Sequence, residues 1–270
     1  MRTVQQVREH YEIEKEIAER LRRSSAGERS SLYTQAYDEL FQRVPHHPLL
    51  EAKVSGAAAA AQREIAILER FVDSDNVYLE VGPGDCSFAI EMAKRVRKVY
   101  AVDVSNEITK DLDAPPNFEL LISDGTSIPV ANNSIDVVYS NQLMEHLHPD
   151  DAEQQLRDIY RALKPGGVYY CVTPNRLSGP HDISRDFDIE ATGLHLKEYT
   201  VAELDEMFTA VGFFDRKVFL GYGKTGLLIS TRPYRFFEKP FGLFPDRIRK
   251  LITFNRAVRL LLGIRMIGRK

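Results

Sequence analysis

Two groups of histidines carry the first chemical suggestion in this 270-residue chain. MEHLHPDD (144–151) holds His146 and His148 among carboxylates, and NRLSGPHDISRDFDIEATGLHLKEYT (175–200) holds His181, Asp182 and His195. Taking a proton from a hydroxyl at neutral pH needs a base whose pKa lies near 7, and histidine is the default. His148 precedes Pro149 at a helix start and reads as a capping residue. Upstream, 77-VYLEVGPGDCSFAIEMAKRV-96 joins an apolar run, a Gly-Pro-Gly turn and a helical pattern. Such a turn lets backbone N–H groups and a positive helix end approach an anionic or polar ligand. Asp103 follows nineteen residues after Gly84, where a carboxylate accepts from ribose hydroxyls.

The elements around these residues alternate. VYLEV (77–81), VYAVDV (99–104), FELLIS (118–123), SIDVVYS (134–140), GGVYYCVT (166–173) and FFDRKVFL (213–220) read as strands. Helical patterns lie between them, one from about Asp150 to Leu163 and one over 200–210 with a Thr200/Glu203 capping box. Short β-branched runs separated by helices imply βαβ units and a parallel sheet. Ligands of such sheets sit at the carboxyl ends of the strands, where the glycine turn, Asp103 and His146 all fall. Before Val77 the chain is helical: Val4, Val7, Tyr11, Ile17 and Leu21 share one face, and Leu32, Tyr33, Tyr37, Leu40 and Phe41 make a second unit. VPHHP (44–48) breaks that pattern, and an alanine-rich helix spans roughly 51–71. The twenty-six residues of 175–200 make a loop long enough to be a lid or binding loop.

Composition is that of a globular chain, 43% hydrophobic and 28% charged, with one core's worth of length to bury. The charged amino end is no secretory signal, and no apolar run is long enough to span a membrane. Cys86 and Cys171 lie far apart without metal-ligand spacing, which points to a reduced, cytoplasmic setting. The net charge of −3 conceals a split. Residues 232–270 carry eleven Lys/Arg against Glu238 and Asp246, +9, leaving −12 for the remainder. That tail is expected to meet something anionic. The acidic remainder and the lack of an RNA- or DNA-binding module argue against nucleic acid.

The motifs downstream of the glycine turn narrow its ligand. A dinucleotide fingerprint wants G-x-G-x-x-G, and Ser87 stands where the third glycine belongs, which disfavours a nicotinamide oxidoreductase. E-V-G-P-G, V-D at 102–103, S-D-G at 123–125, SIDVVYSNQLMEHL and LKPGG occur in order. On these motifs, over about residues 60–220, the chain resembles the class I S-adenosylmethionine-dependent methyltransferases, in particular the small-molecule group with ubiquinone-pathway and sugar O-methyltransferases.

The resemblance implies an α/β, Rossmann-like sheet of seven mostly parallel strands, an antiparallel last strand tucked between its neighbours, and helices on both faces. It implies S-adenosylmethionine as cofactor, with Gly82 and Gly84 along its methionine part and Glu80 beneath its amino group. Asp103 would hold the ribose, Asp124 would accept from the adenine amino group, backbone at Asn141 would help bind the ammonium, and Val104 and Gly125 would also be cofactor-binding. Cys86 stands where many relatives have a third glycine. Residues 1–60 would cap the active site, 61–220 form the core, 221–262 make a basic amphipathic insertion, and 263–270 the final strand. The expected reaction is methyl transfer to a hydroxyl of a sugar or polyketide-like molecule, with carbon or nitrogen methylation, or a non-catalytic binding module, as alternatives. As base, His146 ranks first by resemblance to sugar O-methyltransferases, then His195, then His181. Ubiquinone-pathway relatives carry E-x-x-E-H for a metal; Gln142 replaces the first glutamate here, so no metal is expected. A basic amphipathic stretch over 232–262 suggests a phosphate-bearing or lipid-linked acceptor, or peripheral membrane contact, and a homodimer is the alternative use of that surface.

Overall fold

All five residues of β1 (Val77–Val81) are buried, as expected of a central strand covered on both faces. The computed structural model describes residues 2–48, 57–105, 109, 112–222, 225–253 and 255–270. The other strands are β2 (Lys98–Asp103), β3 (Phe118–Ile122), β4 (Ile135–Asn141), β5 (Leu163–Thr173), β6 (Phe214–Tyr222), β7 (Thr225–Ser230) and β8 (Ile264–Arg269). They form one sheet in the order β3-β2-β1-β4-β5-β8-β6-β7. Strands β1 to β5 pair in parallel. Strand β8 runs antiparallel between β5 and β6, and β7 folds back on β6. The strand order reverses between β1 and β4, which opens a crevice at their carboxyl ends.

The helices are α1 (Val4–Arg23), α2 (Ala26–Arg43), α3 (Ala57–Leu68), α4 (Ser87–Ala93), α5 (Pro149–Ala162), α6 (Val201–Val211), α7 (Thr231–Leu243), α8 (Asp246–Thr253) and α9 (Arg256–Leu262). Of the alanine-rich helix expected at 51–71, the part before Ala57 lies outside the described residues. Helix α5 starts at Pro149 under the His148 cap and buries Ala152, Leu156 and Ile159, one helical stripe. Helix α6 opens on the Thr200/Glu203 box and stops at Gly212, whose φ of +114° lets the chain turn back into β6. One core packs α1, α2, α5 and α6 on one face of the sheet, and a second packs α3 and α4 on the other.

The sheet has eight strands rather than the expected seven. Gly221 and Gly226 face each other at the bend that lets Thr225–Ser230 pair with β6. A Cβ on Gly221 would meet Gly226 Cα at 2.4 Å, so the hairpin exists because both positions lack one. The strand is short and half exposed, so no clear alternation marks it.

The amino-terminal helices are fastened to the core by buried charge. Arg29 of α2 grips Asp151 of α5 through both carboxylate oxygens, at 2.5 and 2.9 Å, and the Tyr33 hydroxyl donates to the same carboxylate. Thr34 donates to the carbonyl of Val104, just beyond β2. This cap therefore stands over the crevice.

Candidate active site

β1 ends in Glu80-Val81 and turns through Gly82 and Gly84, both left-handed at φ +67° and +57°. A Cβ on Gly82 would lie 2.9 Å from the Leu143 side chain, whereas the space over Gly84 is open. Cys86 shares the left-handed conformation, φ 59°, which a glycine would adopt without strain. Burial pushes its thiol up to about 12, so it is no nucleophile.

Around this turn opens a cavity of about 810 Å³. Glu80 lies at its floor, buried, with the Tyr78 hydroxyl 3.4 Å away and no ion pair among the described residues. Burial raises its pKa well above the carboxylate range, and Asp85 and Asp103 add to the effect. The Tyr139 hydroxyl, on the same wall, is buried without a partner. Asp103 accepts from the N–H groups of Val104 and Ser105 at 2.7 and 3.3 Å, and burial raises its pKa as well. Val104, Gly125 and Asn141 line the cavity; Asp124 does not. One oxygen of Asp124 takes hydrogen bonds from the backbone and hydroxyls of Thr126 and Ser127, closing the turn after β3.

The histidines separate into two places. His146 and His195 line the large cavity with ring centroids 4.8 Å apart, edge to face. His181 lines a neighbouring recess of about 230 Å³ with Ser178 and Arg259, and its Nε2 sits 3.2 Å from the Asn175 carbonyl. His146 Nδ1 donates to the Leu194 carbonyl at 3.1 Å, leaving Nε2 without a hydrogen bond. Burial, with His195 nearby, lowers its pKa to about 3, so the ring is neutral. His195 Nδ1 donates to Glu198 at 2.7 Å, which also leaves Nε2 free. Burial opposes its charged form, but the hydrogen bond to Glu198 and the carboxylates of Glu145 and Asp182 outweigh it, and its pKa is raised. Glu145, beneath this pair, is fully buried; Thr173 serves Oε2, Oε1 has no partner, and burial raises its pKa to about 7.

Sequence reasoning missed the residues that hold this arrangement together. Glu198 also accepts from the His181 N–H at 2.6 Å, so one carboxylate ties both ends of the loop's middle. Glu14 of α1 accepts from the Leu194 N–H and from His10. Arg22 spreads its guanidinium over the carbonyls of Thr192, Gly193 and His195. Glu14 and Arg22 act on a segment distant in sequence, and Glu198 bonds within its own irregular loop, where no helical or strand spacing marks the pair.

Donor atoms that could take a metal lie within 4.8 Å of one another in two trios, His10–Glu14–His47 and Glu145–His146–His195. In the first, Arg2 donates to His10 Nδ1 at 2.7 Å and so fixes the proton on Nε2, shared with Glu14. That ring cannot ligate through Nε2 while Arg2 holds it. In the second trio Glu145 Oε1 and the Nε2 atoms of His146 and His195 have no hydrogen-bond partner among the described residues, while Thr173 holds Glu145 Oε2.

Comparison with known proteins identifies the core. Residues 79–171 match the methyltransferase domain family. A probable S-adenosylmethionine-dependent methyltransferase of Mycolicibacterium smegmatis is 31% identical over 136 residues, 50% of this chain and 51% of that protein. Over this core the chain is similar to S-adenosylmethionine-dependent methyltransferases. A phosphoethanolamine N-methyltransferase of Triticum aestivum is 32% identical over 110 residues, 38% of this chain and 22% of the relative. The chain thus spans about half, or less, of the length of these relatives. Among solved structures, the Burkholderia thailandensis 1,6-didemethyltoxoflavin-N1-methyltransferase superposes with a TM-score of 0.56 at 16% identity, covering 92% of this chain and 91% of that one. That likeness is one of fold.

The residues present fit the methyltransferase cofactor. Glu80 is a buried carboxylate lacking a cation, and Asp103 stands where ribose hydroxyls would be accepted. The open space over Gly84 admits a ligand against the backbone. A Tyr-x-x-x-Lys spacing, which hydride chemistry uses, does occur at Tyr160 and Lys164. Lys164 is bound to Asp136 and Tyr160 packs on Phe213, and neither lines the cavity.

Proposed function

We propose that the protein transfers a methyl group from S-adenosylmethionine to a hydroxyl of a small polar molecule, with His195 as the base. The observation that carries this reading is the His195–Glu198 pair, whose free Nε2 lies beside neutral His146 in the cavity shared with the glycine turn. A sulfonium supplies an already activated methyl group, so the chain's own contribution is alignment and proton removal. His195 Nε2 would take the acceptor's proton as the acceptor oxygen bonds to the methyl carbon, and Glu198 would hold the resulting imidazolium. This reverses the order expected from sequence: His146, neutral and fixed by Leu194, serves as a hydrogen-bonding neighbour, and His181 shapes the adjoining recess.

Tyr37, His47, Glu14 and Asp182 line the acceptor side. Glu14 is held ionised, and one oxygen of Asp182 is buried without a partner. Such groups accept hydrogen bonds from a hydroxyl-rich, sugar-like acceptor. They also favour an amine, so nitrogen methylation is the second reading. Two buried free cysteines suit a cytoplasmic enzyme.

The test incubates the protein with methyl-labelled S-adenosylmethionine and a panel of nucleotide-linked and lipid-linked sugars, polyketides and amino sugars, then locates the methyl by NMR. Oxygen methylation that persists after dialysis against a chelator and collapses in His195→Ala supports the reading. A product methylated on nitrogen replaces it with the second, and dependence on an added divalent cation overturns the metal-independent, base-assisted step.

A further inference from the structure

Of thirteen large apolar side chains exposed among the described residues, eight lie within residues 231–262, on or beside α7, α8 and α9. Phe236, Leu243 and Leu251 are 79%, 77% and 78% exposed. The fold does not need this face, because the helices already have a satisfied inner one. Tyr234 is buried and donates to the Leu261 carbonyl at 2.6 Å; buried Glu238 accepts from Asn175 and from the Val201 N–H. On α7, Arg232, Phe236, Lys239 and Leu243 recur at helical spacing along one side, alternating cation with apolar group.

Charge decides what covers the face. Residues 231–262 hold eight Lys/Arg against Glu238 and Asp246, +6. Glu238 is turned inward and Asp246 is paired with Arg249, so the outer surface is basic. A second copy would set like charge on like. Aromatic and aliphatic groups rimmed by Lys and Arg suit the headgroup region of an anionic bilayer. Among the described residues no helix is long and apolar enough to cross a membrane, so contact would lie in the interface plane.

We propose that α7, α8 and α9 form a docking surface for an anionic lipid membrane. The surface adjoins the active-site loop. Helix α8 packs on the turn at 176–178, and Lys250 donates to the Asp188 carbonyl at 3.3 Å. Arg259 lines the recess that holds His181. Docking therefore sets the lid beside the lipid headgroups, and an acceptor carried on a lipid would enter edgewise. That last step rests on the methyl-transfer reading; the docking does not.

Sedimentation of the whole chain with vesicles tests it. The protein is expected to pellet with phosphatidylcholine vesicles containing phosphatidylglycerol, to stay in solution with phosphatidylcholine alone, and to be released by salt. Phe236→Ser/Leu243→Ser/Leu251→Ser lowers partition by about tenfold or more, with circular dichroism and S-adenosylhomocysteine binding unchanged. Equal partition of that variant, equal binding to neutral vesicles, or no vesicle binding overturns the proposal. A wild-type dimer that the variant dissolves assigns the face to a second copy and overturns it too. Homocysteine-product binding is read separately, so failure of the methyl-transfer reading is distinguishable.

Discussion

Glu198→Gln removes one charge from the His195–Glu198 pair and leaves its shape. The two groups are 2.7 Å apart and nearly excluded from solvent, with side-chain exposures of 8% and 2%. A hydrogen bond to a charged group contributes about 1.5–3 kcal/mol. Since 1.36 kcal/mol corresponds to one pKa unit, the substitution lowers the His195 pKa by about 1 to 2. The side-chain carbonyl of the introduced glutamine can still accept from His195 Nδ1 and from the His181 N–H, so the loop should stay in place. Seven histidines make the titration readable by ring-proton NMR, with His195 assigned by its loss in His195→Ala. The wild-type ring is expected to titrate above its usual 6.5, and the variant below the wild type. A base with a lower pKa works to lower pH but pulls less strongly. The acidic limb of kcat/KM therefore moves down by the same 1 to 2 units while the plateau falls about tenfold. An unmoved His195 titration in Glu198→Gln refutes the reasoning, whatever the activity.

Burial alone would raise the Glu14 pKa, but hydrogen bonds from His10 and the Leu194 N–H, with His47 3.9 Å away, bring it to about 2, below its usual 4.5. Its contribution to stability is present above pH 4.5 and lost as pH falls toward 2, so urea denaturation of wild type and Glu14→Gln should converge over that window. Asp151→Ala strands the buried Arg29 guanidinium and should cost about 3 kcal/mol in the same assay. In Cys86→Gly, relief of a left-handed φ, about 1–2 kcal/mol, roughly balances the lost buried side chain, about 1 kcal/mol, and the extra chain entropy of glycine, about 0.5–1 kcal/mol. Its melting temperature should stay near wild type, whereas the β-branched Cys86→Val should melt lower.

The part of the cavity around the glycine turn was legible because its signals are local. Gly82, Gly84 and Asp103 are fixed by the turn and strand end on which they sit, and five ordered motifs placed them on one sheet edge. The acceptor half depends on segments far apart in sequence: Glu14 reaches across 180 positions to Leu194. Ranking His146 over His195 followed from the resemblance to sugar O-methyltransferases. The difference between them is Glu198, three residues from His195 in an irregular loop, where that spacing implies no contact until the loop is folded. Asp124 was read as a ligand group, but an aspartate before Gly-Thr-Ser has its own backbone and two hydroxyls to serve. Strand β7 was missed because GYGKTG, a turn signal between two apolar runs, was absorbed into an insertion.

The most direct test of the central claim is calorimetric titration with S-adenosylhomocysteine and, separately, NADH, repeated on Asp103→Ala. Tight binding of the first ligand, lost in the variant, with no heat from the second, is the predicted result. Silence toward S-adenosylhomocysteine, or binding that Asp103→Ala leaves intact, would contradict the assignment of this cavity.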